Sequence, residues 1–163
     1  MSEPRFAITE FTTPHASFEP HNARYRSEWT IPTTLDEAAE LAADAGGGIG
    51  LLFDVWHLWQ TREIDDAIRG RAREIVAVHV NDWRDPTRGW CDRVLPGEGV
   101  APLKRLVESL IDSGYDGFYD LEVFSDDGTF DNDYPDSLWR VPAEELARLG
   151  REAFTKPTTG GQV

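Results

Sequence analysis

A single cysteine, Cys91, stands in 163 residues. That excludes an internal disulfide and any cysteine-built zinc cluster. Basic charge is also scarce: 16 Lys and Arg against 30 Asp and Glu leave a net charge of -14. Nucleic-acid binders draw most of their non-specific affinity from neutralising phosphates, so this balance argues against a polyanionic partner. An anionic membrane surface is disfavoured for the same reason. No apolar run is long enough to span a bilayer, and the opening "MSEPRFAITEF" has neither the basic start nor the apolar stretch of a secretory signal. The expectation is a soluble, cytoplasmic protein. Two nucleotide signatures, G-x-G-x-x-G after a strand and the P-loop, are missing as well.

What is present is a chain able to bury a core, at 40% hydrophobic and 11% aromatic. Its length suits one domain, expected over residues 1–155, with 156–163 as a disordered tail. "RFAITEF" (5–11) alternates as a short strand, and 12–32 reads as loop. Helix signals mark 33–48, where Thr34 and Glu37 form a capping box and glycines end the run. "GIGLLFD" (48–54) and "EIVAVHV" (74–80) read as buried strands flanking a polar-faced helix at 61–72. The stretch 81–100 reads as a long loop. "PLKRLVESLIDSG" (102–114) is the clearest helix, with Leu103, Leu106, Val107, Leu110 and Ile111 on one stripe. A buried strand at 117–124, a loop at 125–139 and a helix at 142–154 complete the order. Strands alternating with helices predict an α/β fold with a parallel sheet and right-handed crossovers.

Within "LLFDVWHLW" (51–59) a carboxylate and an imidazole sit among aromatic and aliphatic residues. Burying an unpaired charge is costly, so either the two groups satisfy each other or a charged species lies between them. Three strands carry a polar residue near their carboxyl ends: Asp54, His79 and Glu122. In parallel α/β folds that end is where sites are built. Alternation places Ile75, Ala77 and His79 on one face of their strand, and Phe118, Asp120 and Glu122 on one face of theirs. Two carboxylates and an imidazole at one rim suit a divalent metal with open positions. Each residue alone also has an ordinary reading: a helix cap, a hydrogen-bonded core histidine, a salt-bridge partner. In "DRVLPGEG" (92–99) the prolyl-glycyl turn lets backbone approach a ligand. There Asp92 and Arg93 are candidates to hold a metal-bound water and a substrate oxygen, or else are solvated residues of a rigid turn. Trp56, Trp59, Trp83 and Trp90 are expected around these loops, as a pocket wall or as helix-on-strand packing.

Taken in order, "FDVWH", "VHVND", "DRVLPGEG" and "GYDGFYDLEVF" resemble the xylose isomerase-like TIM-barrel family. This group includes sugar phosphate isomerases and epimerases, inosose isomerases and dehydratases, and endonuclease IV. The resemblance runs from about residue 20 to 155, and "DRVLPGEG" followed by "YPDSLW" is most similar to the inosose isomerase and sugar epimerase branch. It implies one divalent ion (Mn, Mg, Co or Zn) held by Glu19, Asp54, His79 and Glu122. It also implies Glu122 and Glu19 as the acid and base, and His57, Arg93 and Trp56 at the substrate, with Arg84 a weaker candidate. The implied activity is sugar metabolism: proton transfer next to a ketose or inosose carbonyl, or dehydration of an inosose. The implied partner is a small sugar or inositol-derived substrate. A nuclease is disfavoured, because Val94 stands where a second histidine would follow Asp92.

A closed barrel has eight strands and typically about 250 residues, whereas this chain holds about four or five strands. The expected fold is therefore a partial (β/α) barrel. "FAITEFTTPHASFE" resembles the start of such barrels, and the chain from Pro20 resembles their sequence beyond the fifth strand. The inferred arrangement is an internally deleted barrel joined near Glu19 and Pro20. On this reading Glu19 supplies the first metal carboxylate if "HASFEP" forms a strand, and Glu10 if "RFAITEF" takes that slot. Two exposed sheet edges invite a homodimer. The alternative to an enzyme is a non-catalytic remnant that folds or associates without turnover.

Overall fold

The computed structural model describes residues 5–7, 17–23, 26, 30–46 and 48–159, with backbone alone at 5–7 and 157–159. Its centre is a five-stranded, all-parallel sheet: β1 (Arg5–Ala7), β2 (Ser17–Phe18), β3 (Gly50–Asp54), β4 (Ile75–Val80) and, later in the chain, β7 (Phe118–Leu121). The spatial order is β1-β7-β4-β3-β2. Strands β3 and β4 are near-continuous apolar runs, as expected of parallel strands covered on both faces. The chain's first strand pairs with its last, the neighbour relation that closes a barrel. Between the two edges, β1 and β2, the sheet is open among the described residues.

Helices α1 (Leu35–Asp44), α3 (Ile64–Arg71), α4 (Leu103–Asp112) and α5 (Ala143–Thr159) accompany the strands. Leu35, Ile68, Leu106, Leu110 and Phe154 from these helices are fully buried in one cluster with Phe53, Val78 and Tyr119 of the sheet. Thr34 caps α1 by accepting the Glu37 N–H. The reciprocal half of the expected capping box goes one residue further out: the Glu37 carboxylate accepts the Thr33 N–H at 2.7 Å and pairs with Arg26. Pro102 caps α4 without a side-chain bond, and Gly114, at φ 90, ends it.

Several expectations are corrected. Ser17–Phe18, read as loop, forms β2, because pairing to β3 satisfies a segment with no periodicity of its own. Residues 81–100 contain β5 (Asp82–Trp83) and β6 (Arg93–Val94), an antiparallel pair too short to leave a pattern. A one-turn helix, α2 (Val55–Leu58), follows β3 directly. Residues 156–159 continue α5 rather than beginning a tail; a proline lacks the donor but its φ is helical, and Phe154 anchors the preceding turn. Residues 160–163 and Glu10 lie outside the described residues. Finally, the β3–β4 register shifts between Leu51 and Leu52. The irregularity breaks simple alternation, so Ile75 joins the helix-side core while Ala77 does not.

Candidate metal centre

Beyond the register shift, Leu52 pairs with Ala77 and Asp54 with His79, and His79 pairs with Asp120 across to β7. Asp54, His79 and Asp120 thus share the sheet face away from the helices, and Glu122, two residues beyond Asp120, returns to it. The Glu122 N–H bonds the Val80 carbonyl, which extends the pairing to this residue. On the other side of β3, Glu19 directly follows β2. Four side chains from four neighbouring strands therefore meet at the carboxyl end of the sheet.

The imidazole is the centre of this group. His79 Nδ1 lies 3.4 Å from Glu122 Oε1, 3.5 Å from Asp54 Oδ2 and 4.0 Å from Glu19 Oε1. The Nδ1 atom is buried and, among the described residues, has no hydrogen-bond partner. Ligands about 2.1 Å from a shared ion, at tetrahedral to octahedral angles, stand about 3.0 to 3.4 Å apart. The distances from His79 to Glu122 and Asp54 are close to that range and the one to Glu19 is longer. Glu19, Asp54 and His79 each offer an atom within 4.8 Å of the others, a set that does not include Glu122. Nitrogen and carboxylate donors suit Mn, Mg, Co or Zn.

The two oxygens of Asp54 face different partners. Its Oδ1 caps α2 by accepting the His57 N–H at 3.1 Å, while Oδ2 faces His79. The Asn81 amide spans the buried Asp54 and the half-buried Glu122, donating to Asp54 at 3.3 Å and to Glu122 at 3.2 Å. Electrostatics then divides them. Burial alone would raise Asp54, but the His79 imidazole and the charges of His57 and Arg93 hold it below the usual carboxylate range. Burial, with the charges of Asp54 and Glu19, pushes Glu122 up despite His79. His79 itself is disfavoured as a cation by burial, yet the facing carboxylates of Asp54 and Glu122 lift it to about 10.

Around the cluster, the Arg93 guanidinium lies 3.5 Å over the Trp56 ring, and its backbone N–H bonds the Phe124 carbonyl. Burial holds the His57 imidazole below its ordinary value, and its Nδ1 accepts the Asn22 N–H at 3.3 Å. The His21 ring stacks on His57 with centroids 4.2 Å apart. Trp56 and Trp59 both pack against Trp83 and, with Asn22 and Arg84, border a cavity of about 230 Å³. The cavity lies to the arginine and tryptophan side; none of the four clustered side chains lines it.

Three expectations change here. Asp92 is neither solvated nor placed to hold a water: it is buried and bound by Arg84 and Arg88. Arg84 spends its donors on Asp92 and Asp136, which leaves Arg93 as the cation nearest the cluster. Trp90 leaves the tryptophan group and packs with Phe124 and Phe130. Asn81 and Asp82 join the site without having been expected there. Asp82 accepts N–H bonds from Trp83, Gly97, Gly99 and Ala101, fixing the turn of "LPGEG". A Cβ on Gly99 would stand 2.2 Å from Asp82 Oδ1, so the glycine permits that approach. The "ND" after a buried strand is the sequence signal for both.

A family model described as xylose isomerase-like TIM barrel matches residues 13–156. Two curated relatives are inosose isomerases: one from Bacillus licheniformis, 26% identical over 108 residues, covering 64% of this chain and 35% of the relative. The other, from Halalkalibacterium halodurans, is 30% identical over 96 residues, covering 56% and 34%. Among solved structures, a Sinorhizobium meliloti 1021 protein superposes with TM-score 0.73 at 27% identity, covering 86% of this chain and 49% of that one. An IolI protein bearing a zinc atom (TM-score 0.62, 18% identity, 82% and 46% covered) shares the fold. So does the D-psicose 3-epimerase of Clostridium cellulolyticum H10 (0.64, 21%, 88% and 48%). The chain spans about a third of the length of these curated relatives and about half of the solved ones. Among the described residues no helix is long and apolar enough to cross a membrane.

Proposed function

Because the chain belongs to the xylose isomerase-like TIM barrel family, we propose that it is a divalent-metal-dependent isomerase or epimerase acting on a ketose or inosose. The observation that carries this reading is His79 Nδ1, buried without a hydrogen bond and faced by carboxylate oxygens of Glu19, Asp54 and Glu122. Those four residues would hold the ion. Bound there, a divalent cation polarises a substrate carbonyl and acidifies the neighbouring C–H.

The proton work falls to the glutamates. Glu122, at the rim of the cluster and held by the Asn81 amide, is suited to take the proton from the carbon beside the carbonyl and to release it again. Asp54 stays an anion throughout and serves as a fixed charge. Glu19 is the second acid–base group, on the opposite face of the substrate. A proton returned to the other face of the same carbon gives epimerisation; a proton delivered to the adjoining carbon gives isomerisation. Loss of a neighbouring hydroxyl as water would make the reaction a dehydration, the inosose variant. Arg93 and His57 bind substrate oxygens, and Trp56 supplies an apolar wall. With Nδ1 accepting from Asn22, neutral His57 carries its proton on Nε2 and acts as a donor. The inosose branch is favoured by the two curated relatives.

The test is a panel of inososes and ketoses in deuterated water with added Mn2+. Exchange of deuterium into the carbon beside the carbonyl is expected, and Glu122→Gln abolishes it. Metal retained with no exchange on any member would favour the second reading, a binding remnant without turnover.

A further inference from the structure

The two oxygens of the Glu19 carboxylate face different partners. Oε1 lies 4.0 Å from His79 Nδ1, and Oε2 lies 3.5 Å from His21 Nε2. The His21 ring in turn lies flat on His57, with planes 1° apart. Glu19, His21 and His57 also bring one donor atom each within 4.8 Å of one another, which raises a second cation site as an option. Two features argue against it. Parallel stacked imidazoles aim their in-plane lone pairs side by side rather than at one point. In addition, His57 Nδ1 already accepts the Asn22 N–H, which keeps the proton on Nε2 and removes both nitrogens as ligands.

We infer that His21 is a positioning residue for the proposed centre: its Nε2–H holds Glu19 so that Oε1 faces His79, and its ring holds His57 against rotation. This rests on the metal-centre reading above. Outer partners of this kind orient a ligating carboxylate, and their loss typically weakens metal binding about 10- to 100-fold. One short segment, "EPHN", would then supply a ligand, its orienting donor, the flat support of a substrate-facing histidine and the N–H that fixes its tautomer.

The experiment is calorimetric titration of the whole chain with Mn2+, alongside thermal melts. His21→Phe keeps the stack and removes the donor; it is expected to melt like the unsubstituted chain and bind Mn2+ about 10-fold more weakly. His21→Gln, which places an amide donor near the same point, is expected to recover most of the affinity. Adding His21→Phe to Glu19→Gln is expected to cost nothing further. If His21→Phe does not fold, His21→Ala is read the same way. Unchanged affinity in His21→Phe, beside firm binding by the unsubstituted chain, overturns the role of His21 and leaves the centre standing. Equal loss in the Phe and Gln variants also overturns it, since the donor would then be irrelevant. An unsubstituted chain that binds no Mn2+ overturns both.

Discussion

A carboxylate at the end of a buried strand has two ordinary uses, helix cap and ligand. Asp54 caps α2 through Oδ1 and turns Oδ2 toward His79, so the proposed ligand role and the cap are not exclusive, and composition and spacing could not choose between them. Asp54, His79 and Glu122 could be singled out in the sequence because each falls at or just beyond the carboxyl half of a recognisable strand, and their role at a metal is the proposal above. Glu19 was proposed only through the resemblance, and His21 and Asn81 emerge only through contacts between residues far apart in sequence, His21 with His57 and Asn81 with Asp54 and Glu122. Arg93 shows the value of side-chain shape. Its planar head stacks on Trp56, which a lysine cannot reproduce. Arg93→Lys is therefore expected to raise KM about 10-fold while kcat falls less, measured on whichever sugar of the panel turns over. Glu37 carries a pH prediction. Arg26 and Thr33 hold its carboxyl at about 2, below its ordinary 4.5. A depressed folded-state value stabilises above the unfolded value, so the contribution is complete above pH 4.5 and disappears as pH falls toward 2. Glu37→Gln should lower the melting temperature at pH 6, by an exposed-pair effect of about 0.5 to 1 kcal/mol, and the difference should vanish near pH 2.

Elements were readable in proportion to their length and pattern. Strands β3, β4 and β7 are apolar runs bounded by turn residues, and α4 has a clean stripe, so all four fall where expected. The one-turn α2 and the two-residue strands β2, β5 and β6 carry no period, and tertiary pairing creates them. The pair β5–β6 depends on one residue. Asp82 accepts four backbone N–H groups, and no other side chain bonds so many in the segment 82–101. Asp82→Ala removes a buried carboxylate and leaves those four donors without their acceptor. It is expected to cost at least about 2 kcal/mol in urea unfolding and to loosen Arg93, which stands on β6. Gly99→Ala should act in the same direction, because its methyl would meet Asp82 and the Trp83 carbonyl. A Gly99→Ala variant as stable as the unsubstituted chain would show that the turn has room to shift.

At the scale of the molecule, the five sheet strands among the described residues occupy the order of a barrel, with a gap between β1 and β2. The join near Glu19 and Pro20, inferred from sequence order, agrees with a first strand seated beside β7 and a second seated beside β3. The seating of those strands could not be read from local pattern, since it is decided by which edges remain available. Unpaired edges favour association, so the chain is expected to sediment as a dimer at micromolar concentration; a stable, well-folded monomer would contradict that. The central claim concerns the centre itself, and native mass spectrometry with and without Mn2+ tests it directly. One manganese ion per chain is expected, lost in Asp54→Ala, whose folding is followed by its melt. No manganese on the unsubstituted chain, or the same occupancy in Asp54→Ala, would contradict it.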